Sequence, residues 1–195
     1  MHRLSLSFFS LNSFPFLGRK RRPKPLTVRW VLPGQLAVGW AINHRDGQVL
    51  QTAGIHTIVS LCAETEAVLP PKIQRQFHCI RYPLPDSHSS LMLSHVEVIR
   101  VLKIIHASII QRQPVYVHCL AGMERSPTIC LAYLCLYHGY NIDESLVWLT
   151  QVHPRTMPTE QQLNVVRFLI DTQTNLQPRL SSSSHFPQTS PSSPS

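Results

Sequence analysis

The 195-residue chain lacks any apolar run of the roughly 18–20 residues that a helix needs to span a bilayer. It also has no acidic residue before Asp46, although its formal net charge is +8. Much of the excess comes from the basic cluster RKRRPK at residues 19–24. Short basic runs are common and carry little specificity. We therefore expect no membrane span, and no nucleic-acid partner beyond weak contacts of that basic segment.

Paired C-x-x-C motifs are missing as well. The five cysteines stand at positions 62, 79, 119, 130 and 135, and their spacing fits neither a zinc site nor a dithiol redox motif. Most of them have apolar neighbours, as buried thiols do. A reducing compartment is the simplest inference, and we expect a cytoplasmic protein.

Composition divides the chain into three parts. Residues 1–27 are rich in Ser, Phe and basic residues, and three interpretations stay open: a disordered basic arm, a targeting peptide, or an artefact of an upstream start codon. Residues 172–195 end in a Ser/Pro-rich stretch with too few apolar side chains to offset the entropy of ordering. We expect a disordered tail there and one folded domain over residues 28–171.

Within that domain, short apolar runs alternate with helical patterns. Ser94 and Glu97 form a capping box that predicts the start of an amphipathic helix, and Thr159 and Gln162 form a second one. Buried strands are predicted within residues 55–62, 77–84 and 114–119. The alternation indicates an α/β domain with a central, mostly parallel sheet of about four to five strands flanked by helices.

The segment YVHCLAGMERSPT, residues 116–128, sets a cysteine at the end of the last predicted strand. Ser126 and Pro127 fit the N-cap and first position of an apolar helix that ends near Gly139. In parallel sheets the reactive crevice lies beyond the carboxyl ends of the strands. The segment is therefore predicted to be a phosphate-binding type of loop between the last strand and a buried helix.

The residues of this loop suit anion chemistry. A loop that enters a helix directs backbone N–H groups at one point, and the helix dipole adds roughly half a positive charge there. Arg125 offers a planar fork for two phosphate oxygens, and Cys119 is then favoured as a thiolate facing the bound oxyanion. Gly122 lets the loop curl closely around a phosphate, and Ser126 could hydrogen-bond the sulfur as it departs.

Asp86 is the candidate acid. It lies in a proline-flanked loop, residues 82–90, that follows another predicted strand toward the same sheet edge. It could protonate the leaving alcohol or phenol and later take a proton from the attacking water. The alternative role is that of an aspartate capping a turn.

The pattern H-C-x5-R-S at 118–126, with an aspartate 33 residues before the cysteine, resembles the cysteine-dependent protein tyrosine phosphatases. Within them it is closest to the small dual-specificity branch, over about residues 28–171. The resemblance implies a phosphocysteine mechanism without metal or cofactor, with Cys119 as nucleophile, Arg125 as phosphate clamp, Asp86 as acid and base, and Ser126 aiding departure of the thiol. It implies a substrate-binding cradle made of His118, which tunes the cysteine, and Leu120, Ala121, Gly122, Met123, Glu124 and Arg125.

Glu124 departs from the family pattern, which usually has a small or uncharged residue there. Its carboxylate should repel a phosphate unless it points away or pairs with a basic group such as Arg155. The loop also carries no lysine, which argues against inositol phospholipids as substrates. We expect a phosphatase of phosphotyrosine and phosphoserine/threonine proteins. The alternatives are a catalytically weak phosphate-binding module and a phosphatase of another phosphomonoester, such as a phosphoglucan.

Overall fold

A mixed five-stranded sheet organises residues 26–176, the part of the chain that the computed structural model describes. The strands are β1 (Arg29–Leu32), β2 (Leu36–Trp40), β3 (Thr57–Ser60), β4 (His78–Arg81) and β5 (Val115–Cys119). Their spatial order is β1-β2-β5-β3-β4, and β1 runs antiparallel to β2 while the other pairs are parallel. The predicted mostly parallel α/β sheet is confirmed.

Helices cover both faces of the sheet. They are α1 (Gly47–Thr52), α2 (Pro71–Gln76), α3 (His95–Ile110), α4 (Arg125–His138), α5 (Ile142–Val152) and α6 (Glu160–Leu176). Side chains alternate across the strands, so Tyr116 packs with the α1 and α2 side, whereas Val117 packs with the larger core of α3 to α6. No helix within residues 26–176 is both long and apolar enough to cross a bilayer.

Both predicted capping boxes form. Ser94 Oγ accepts a hydrogen bond from Glu97 N, and Glu97 Oε2 accepts one from Ser94 N, at the start of α3. At α6, Thr159 N donates to Gln162 Oε1 and Gln162 N donates to Thr159 Oγ1. These local patterns position the helices that pack beneath the site.

The domain extends past both predicted boundaries. Leu26, placed in the N-terminal arm by composition, is only 5% exposed and belongs to the core on the α1 and α2 side. Helix α6 continues beyond residue 171 to Leu176, because neither Gly nor Pro interrupts its sequence. The rest of the predicted arm and tail, residues 1–25 and 177–195, lies outside the described residues.

The parallel strands end together beside the sequence motif. In register, Trp40 on β2 pairs with Cys119, and Ser60 on β3 pairs with His118. Strand β4 ends at Arg81, and the chain continues into the loop that contains Asp86. The carboxyl edge of the sheet thus gathers the loops that follow these strands, as the sequence predicts.

Candidate active site

The loop between β5 and α4 forms a cradle over residues 119–125, with Cys119 at its base. Cys119 is only 3% exposed. The cradle is held by its carbonyls: Ala41 N donates to Leu120 O at 3.2 Å, His153 Nε2 donates to Gly122 O at 2.6 Å, and Met157 N donates to Met123 O at 2.7 Å.

The amide groups of the cradle remain available to a ligand. Across a trans peptide, each carbonyl points away from the N–H that follows it. The carbonyls of residues 120, 122 and 123 are turned outward, so the next N–H groups face the opposite way. Within residues 26–176, none of the N–H groups of residues 120–124 donates a hydrogen bond. An oxyanion in front of Cys119 would satisfy them.

Gly122 is required by the path of this loop. Its φ is +69°, a conformation that side chains disfavour. A Cβ added there would lie 2.9 Å from the backbone carbon and oxygen of Gly39. The cradle therefore rests directly on β2, and the predicted close turn at Gly122 is present.

Ser126 does not cap the helix, which corrects the predicted N-cap. Helix α4 begins one residue earlier, at Arg125, with Glu124 in the N-cap position and no side-chain cap. Ser126 therefore lies inside the first turn, fully buried, where its hydroxyl donates to Gly39 O at 3.0 Å. The same Oγ lies 3.3 Å from Cys119 Sγ. Ser126 Oγ is thus within hydrogen-bond distance of the sulfur, while its hydroxyl hydrogen is directed at Gly39 O.

Arg125 is held from behind by a side chain that sequence reasoning missed, Glu66. Glu66 Oε1 lies 2.6 Å from Arg125 Nη2 and Oε2 lies 3.0 Å from Nη1. Nη1 also donates to the carbonyls of Leu61 and Leu84. The hydrogen bond from Arg125 lowers the pKa of Glu66, so the carboxylate is ionised at neutral pH. An acidic residue just after β3, at the same sheet edge, was the signal available in the sequence.

Asp86 lies in a turn of its own and, within the described chain, makes no hydrogen bond to a cradle residue. Its Oδ1 accepts a hydrogen bond from His88 N at 3.0 Å, and its carbonyl accepts one from Ser89 N. The structure thus places Asp86 in the turn-capping role that was the alternative. Two residues before Asp86, the loop nevertheless contacts the cradle, because Leu84 O accepts a hydrogen bond from Arg125 Nη1.

The sequence of this domain matches a known family. Residues 38–174 match the sequence profile described as "Dual specificity phosphatase, catalytic domain". The chain belongs to the dual-specificity phosphatase family.

Individual relatives agree with this assignment. The chain is 30% identical over 133 residues to human "Dual specificity protein phosphatase 21", covering 66% of each chain. It is 24% identical over 131 residues to "Phosphatidylglycerophosphate phosphatase PTPMT2" of Arabidopsis thaliana, covering 67% of this chain and 58% of the relative. The matches thus span less than two thirds of these relatives' own lengths. Among solved structures, the active form of Tk-PTP shares the fold, with a TM-score of 0.65 and 21% identity over 74% of this chain and 96% of its own.

His118, which precedes the cysteine in the dual-specificity phosphatase pattern, is a buried neutral imidazole here. It is 1% exposed, and its Nδ1 lies 3.3 Å from the carbonyl oxygen of Cys119. Burial lowers the pKa of His118 to about 4. At neutral pH it therefore brings no positive charge to the cysteine, and its Nδ1 contacts the backbone at the base of the cradle.

The remaining cradle side chains turn toward the rim. Leu120 is 48% exposed and Ala121 is exposed, while Met123 and Glu124 are partly exposed. Leu120 and Ala121 can therefore contribute to anion binding mainly through their backbone. Within residues 26–176, no group of three His, Cys, Asp or Glu side chains is arranged to hold a metal ion.

Glu124 is not neutralised by Arg155. The ion pairs among the described residues are Arg125–Glu66 and Arg167–Glu160. The guanidinium of Arg155 instead lies 5.7 Å from the ring centroid of Trp40. Glu124 is therefore a partly exposed carboxylate on the cradle loop, without an ion-pair partner in the described chain.

Proposed function

We propose that this chain hydrolyses phosphomonoesters through a phosphocysteine intermediate, and that phosphorylated proteins are its substrates. The observation that carries the proposal is the position of Cys119 at the base of a loop whose N–H groups, over residues 120–124, donate to nothing in the described chain. Oriented donors of this kind stabilise the charge that develops on a transferring phosphoryl group.

In the first step, Cys119 Sγ attacks phosphorus and the bond to the leaving oxygen breaks. Asp86 supplies the proton to that oxygen, once its loop has moved over the substrate. In the second step, water attacks the phosphocysteine, Asp86 accepts its proton, and the sulfur leaves as a thiolate. The hydroxyl of Ser126, whose Oγ lies 3.3 Å from the sulfur, stabilises the departing thiolate when its single hydrogen turns from Gly39 O to Sγ.

Phosphotyrosine and phosphoserine/threonine are both proposed as substrate residues. Membership of the dual-specificity phosphatase family supports this breadth. The exposed side chains of Leu120 and Ala121 at the rim leave the cradle close to the surface, where short and long phosphorylated side chains can reach it.

A phosphorylated lipid is the second candidate. One relative is named for phosphatidylglycerophosphate, and the exposed side chains of Leu120 and Met157 place apolar surface near the cradle. Glu124 argues against it, because a carboxylate in the loop repels the additional anionic groups of such headgroups. We therefore rank protein substrates first.

Hydrolysis of an aryl phosphate tests the chemistry. The change Cys119→Ser should abolish turnover yet leave oxyanion binding largely intact, because the cradle binds through N–H groups and Arg125. Cys79→Ser, at a half-buried cysteine outside the cradle, is the matched control and should retain turnover. Hydrolysis by Cys119→Ser near the wild-type rate would remove Cys119 from the mechanism.

The wild type and Cys119→Ser also serve to test the class of substrate. The wild type should dephosphorylate both phosphotyrosyl and phosphoseryl peptides. It should release phosphate from these peptides faster than from phosphatidylglycerophosphate in vesicles. The opposite ranking would favour the lipid candidate.

A further inference from the structure

The cradle rests on one short piece of backbone at the end of β2, residues 39–41, here called the β2 strip. Ser126 Oγ donates to Gly39 O at 3.0 Å. Gly122 packs on the strip so closely that a Cβ added to it would lie 2.9 Å from the backbone carbon and oxygen of Gly39 and 3.1 Å from Trp40 N. The directions of the cradle N–H groups therefore depend on where this strip lies.

The hydroxyl of Tyr116 reaches the β2 strip from β5. It donates a hydrogen bond to Trp40 O at 3.1 Å. Strand β1 begins at Arg29, which pairs with Val38, so the β1–β2 register does not extend to Trp40. A side chain thus supplies a donor to a carbonyl that lies past the end of this register.

The fit between Tyr116 and Gly39 makes the contact possible. A Cβ on Gly39 would overlap the Tyr116 hydroxyl, so the phenol can approach the strand this closely only where there is no side chain. Tyr116 is fully buried, and burial raises its pKa, so its hydroxyl is protonated and donates at neutral pH. Removing the hydroxyl would leave Trp40 O without this donor in a partly buried position.

Trp40 contacts the cradle through its side chain as well as its backbone. Its ring lies 6.3 Å from the imidazole ring of His153, with an interplanar angle of 28°. His153 Nε2 in turn donates to Gly122 O at 2.6 Å. In the β2–β5 register, Trp40 also pairs with Cys119. A displacement of Trp40 would therefore reach the cradle by two routes, through the backbone and through His153.

We infer that Tyr116 is a positioning residue for the cradle. Its hydroxyl fixes the β2 strip, and the strip holds the cradle so that the N–H groups of residues 120–124 face one point before a ligand arrives. The inference rests on the proposed function for the identity of the ligand, a phosphate monoester. It gives a role at the site to a side chain that belongs to the core on the α1 and α2 side of the sheet.

Binding of tungstate, an oxyanion shaped like phosphate, tests the inference without turnover. The full chain carrying Cys119→Ser is titrated by calorimetry, alone and with Tyr116→Phe, which removes the hydroxyl and keeps the ring. Tyr116→Phe should weaken tungstate binding about three- to tenfold, a part of the roughly 10²-fold that a misplacement of about 1 Å can cost. Amide resonances of residues 120–124 should shift in the same variant.

Tyr133→Phe is the matched control. Tyr133 is only 1% exposed, and its hydroxyl lies 3.0 Å from His106 Nδ1, between α4 and α3 rather than at the β2 strip. Each variant removes one buried hydroxyl, so both should lower the melting temperature by about 2–4 °C. Tyr133→Phe should nevertheless bind tungstate as before and leave the cradle amide resonances in place.

Gly39→Ala disturbs the same contact from β2, and it serves if Tyr116→Phe does not fold. Its methyl group would displace the Tyr116 hydroxyl, so it should also weaken tungstate binding. Unchanged tungstate affinity in Tyr116→Phe or in Gly39→Ala would overturn the inference. An equal loss of affinity in Tyr133→Phe would overturn it too, because the hydroxyl of Tyr116 would then support only the fold.

The proposed function can fail separately. A wild-type chain that does not hydrolyse aryl phosphates, yet whose tungstate affinity depends on the Tyr116 hydroxyl, would refute the phosphatase proposal and leave the role of Tyr116 in anion binding intact.

Discussion

The cradle at residues 119–125 and the loop that carries Asp86 differ in how firmly the fold determines them. The cradle is fixed by three carbonyl contacts, by Gly122 resting on β2, and by the buried Arg125. The side chain of Asp86 instead caps a local turn through His88 N, and Leu91 and Met92 in the same loop are 72% and 71% exposed. In the proposed mechanism, the cradle for the anion is thus formed in advance, whereas Asp86 must leave its local turn contact to reach the leaving oxygen.

Replacing Asp86 should show the largest difference between the cradle and the loop that carries Asp86. Asp86→Ala is expected to slow hydrolysis of alkyl and phenyl phosphates by about 10²–10⁴-fold, the usual scale for a positioned acid. Tungstate affinity should stay unchanged, because the cradle is complete without Asp86. Leaving groups that need no proton should lose much less rate. An equal loss for all leaving groups would show that Asp86 is structural instead.

Gly122→Ala should damage the cradle and leave the acid loop intact. The new Cβ would meet the backbone of Gly39 at 2.9 Å, so we expect tungstate binding and kcat/KM to fall by about 10–100-fold. The free energy of unfolding should drop by about 1–3 kcal/mol. Thermal denaturation and calorimetry measure both.

Gly139→Ala is the matched control for that change. Its φ of +68° is almost the same, but nothing lies within 4 Å of the added Cβ. It should lose stability through backbone strain and keep its activity. If Gly139→Ala lowered activity as much as Gly122→Ala, strain rather than collision with β2 would explain the effect.

The features of the site that are local in the sequence could be predicted, whereas contacts between distant residues could not. Cys119, Gly122 and Arg125 lie within one short segment between a predicted strand and a predicted helix, so the local pattern predicts a cradle there. Ser126 was predicted as a helix cap from its neighbours, but its hydroxyl bonds to Gly39, 87 positions away. Glu66 was missed because its partner is 59 positions away. Contacts across strands depend on the sheet order, which local patterns do not reveal.

Glu124 should give the smallest effect. Its carboxylate repels an anionic substrate by about 1 kcal/mol or less at a partly exposed rim. Glu124→Gly should therefore lower KM for an aryl phosphate a few-fold, and by more at low ionic strength, where screening is weakest.

Glu124→Gln distinguishes charge from loop flexibility. It removes the charge and keeps the side-chain size, so it should lower KM as much as Glu124→Gly does. A KM for the aryl phosphate that stays constant at both salt concentrations, in either variant, would rule out repulsion in the cradle.

In the proposed mechanism, Cys119 carries the phosphoryl group during turnover. Rapid denaturing quench of the wild type during hydrolysis of a ³²P-labelled phosphotyrosyl peptide tests it most directly. We predict a labelled phosphoprotein whose label lies in the peptide that contains Cys119, and none in Cys119→Ser. Turnover with no labelled protein, or with the label on another residue, would show that Cys119 does not carry the phosphoryl group.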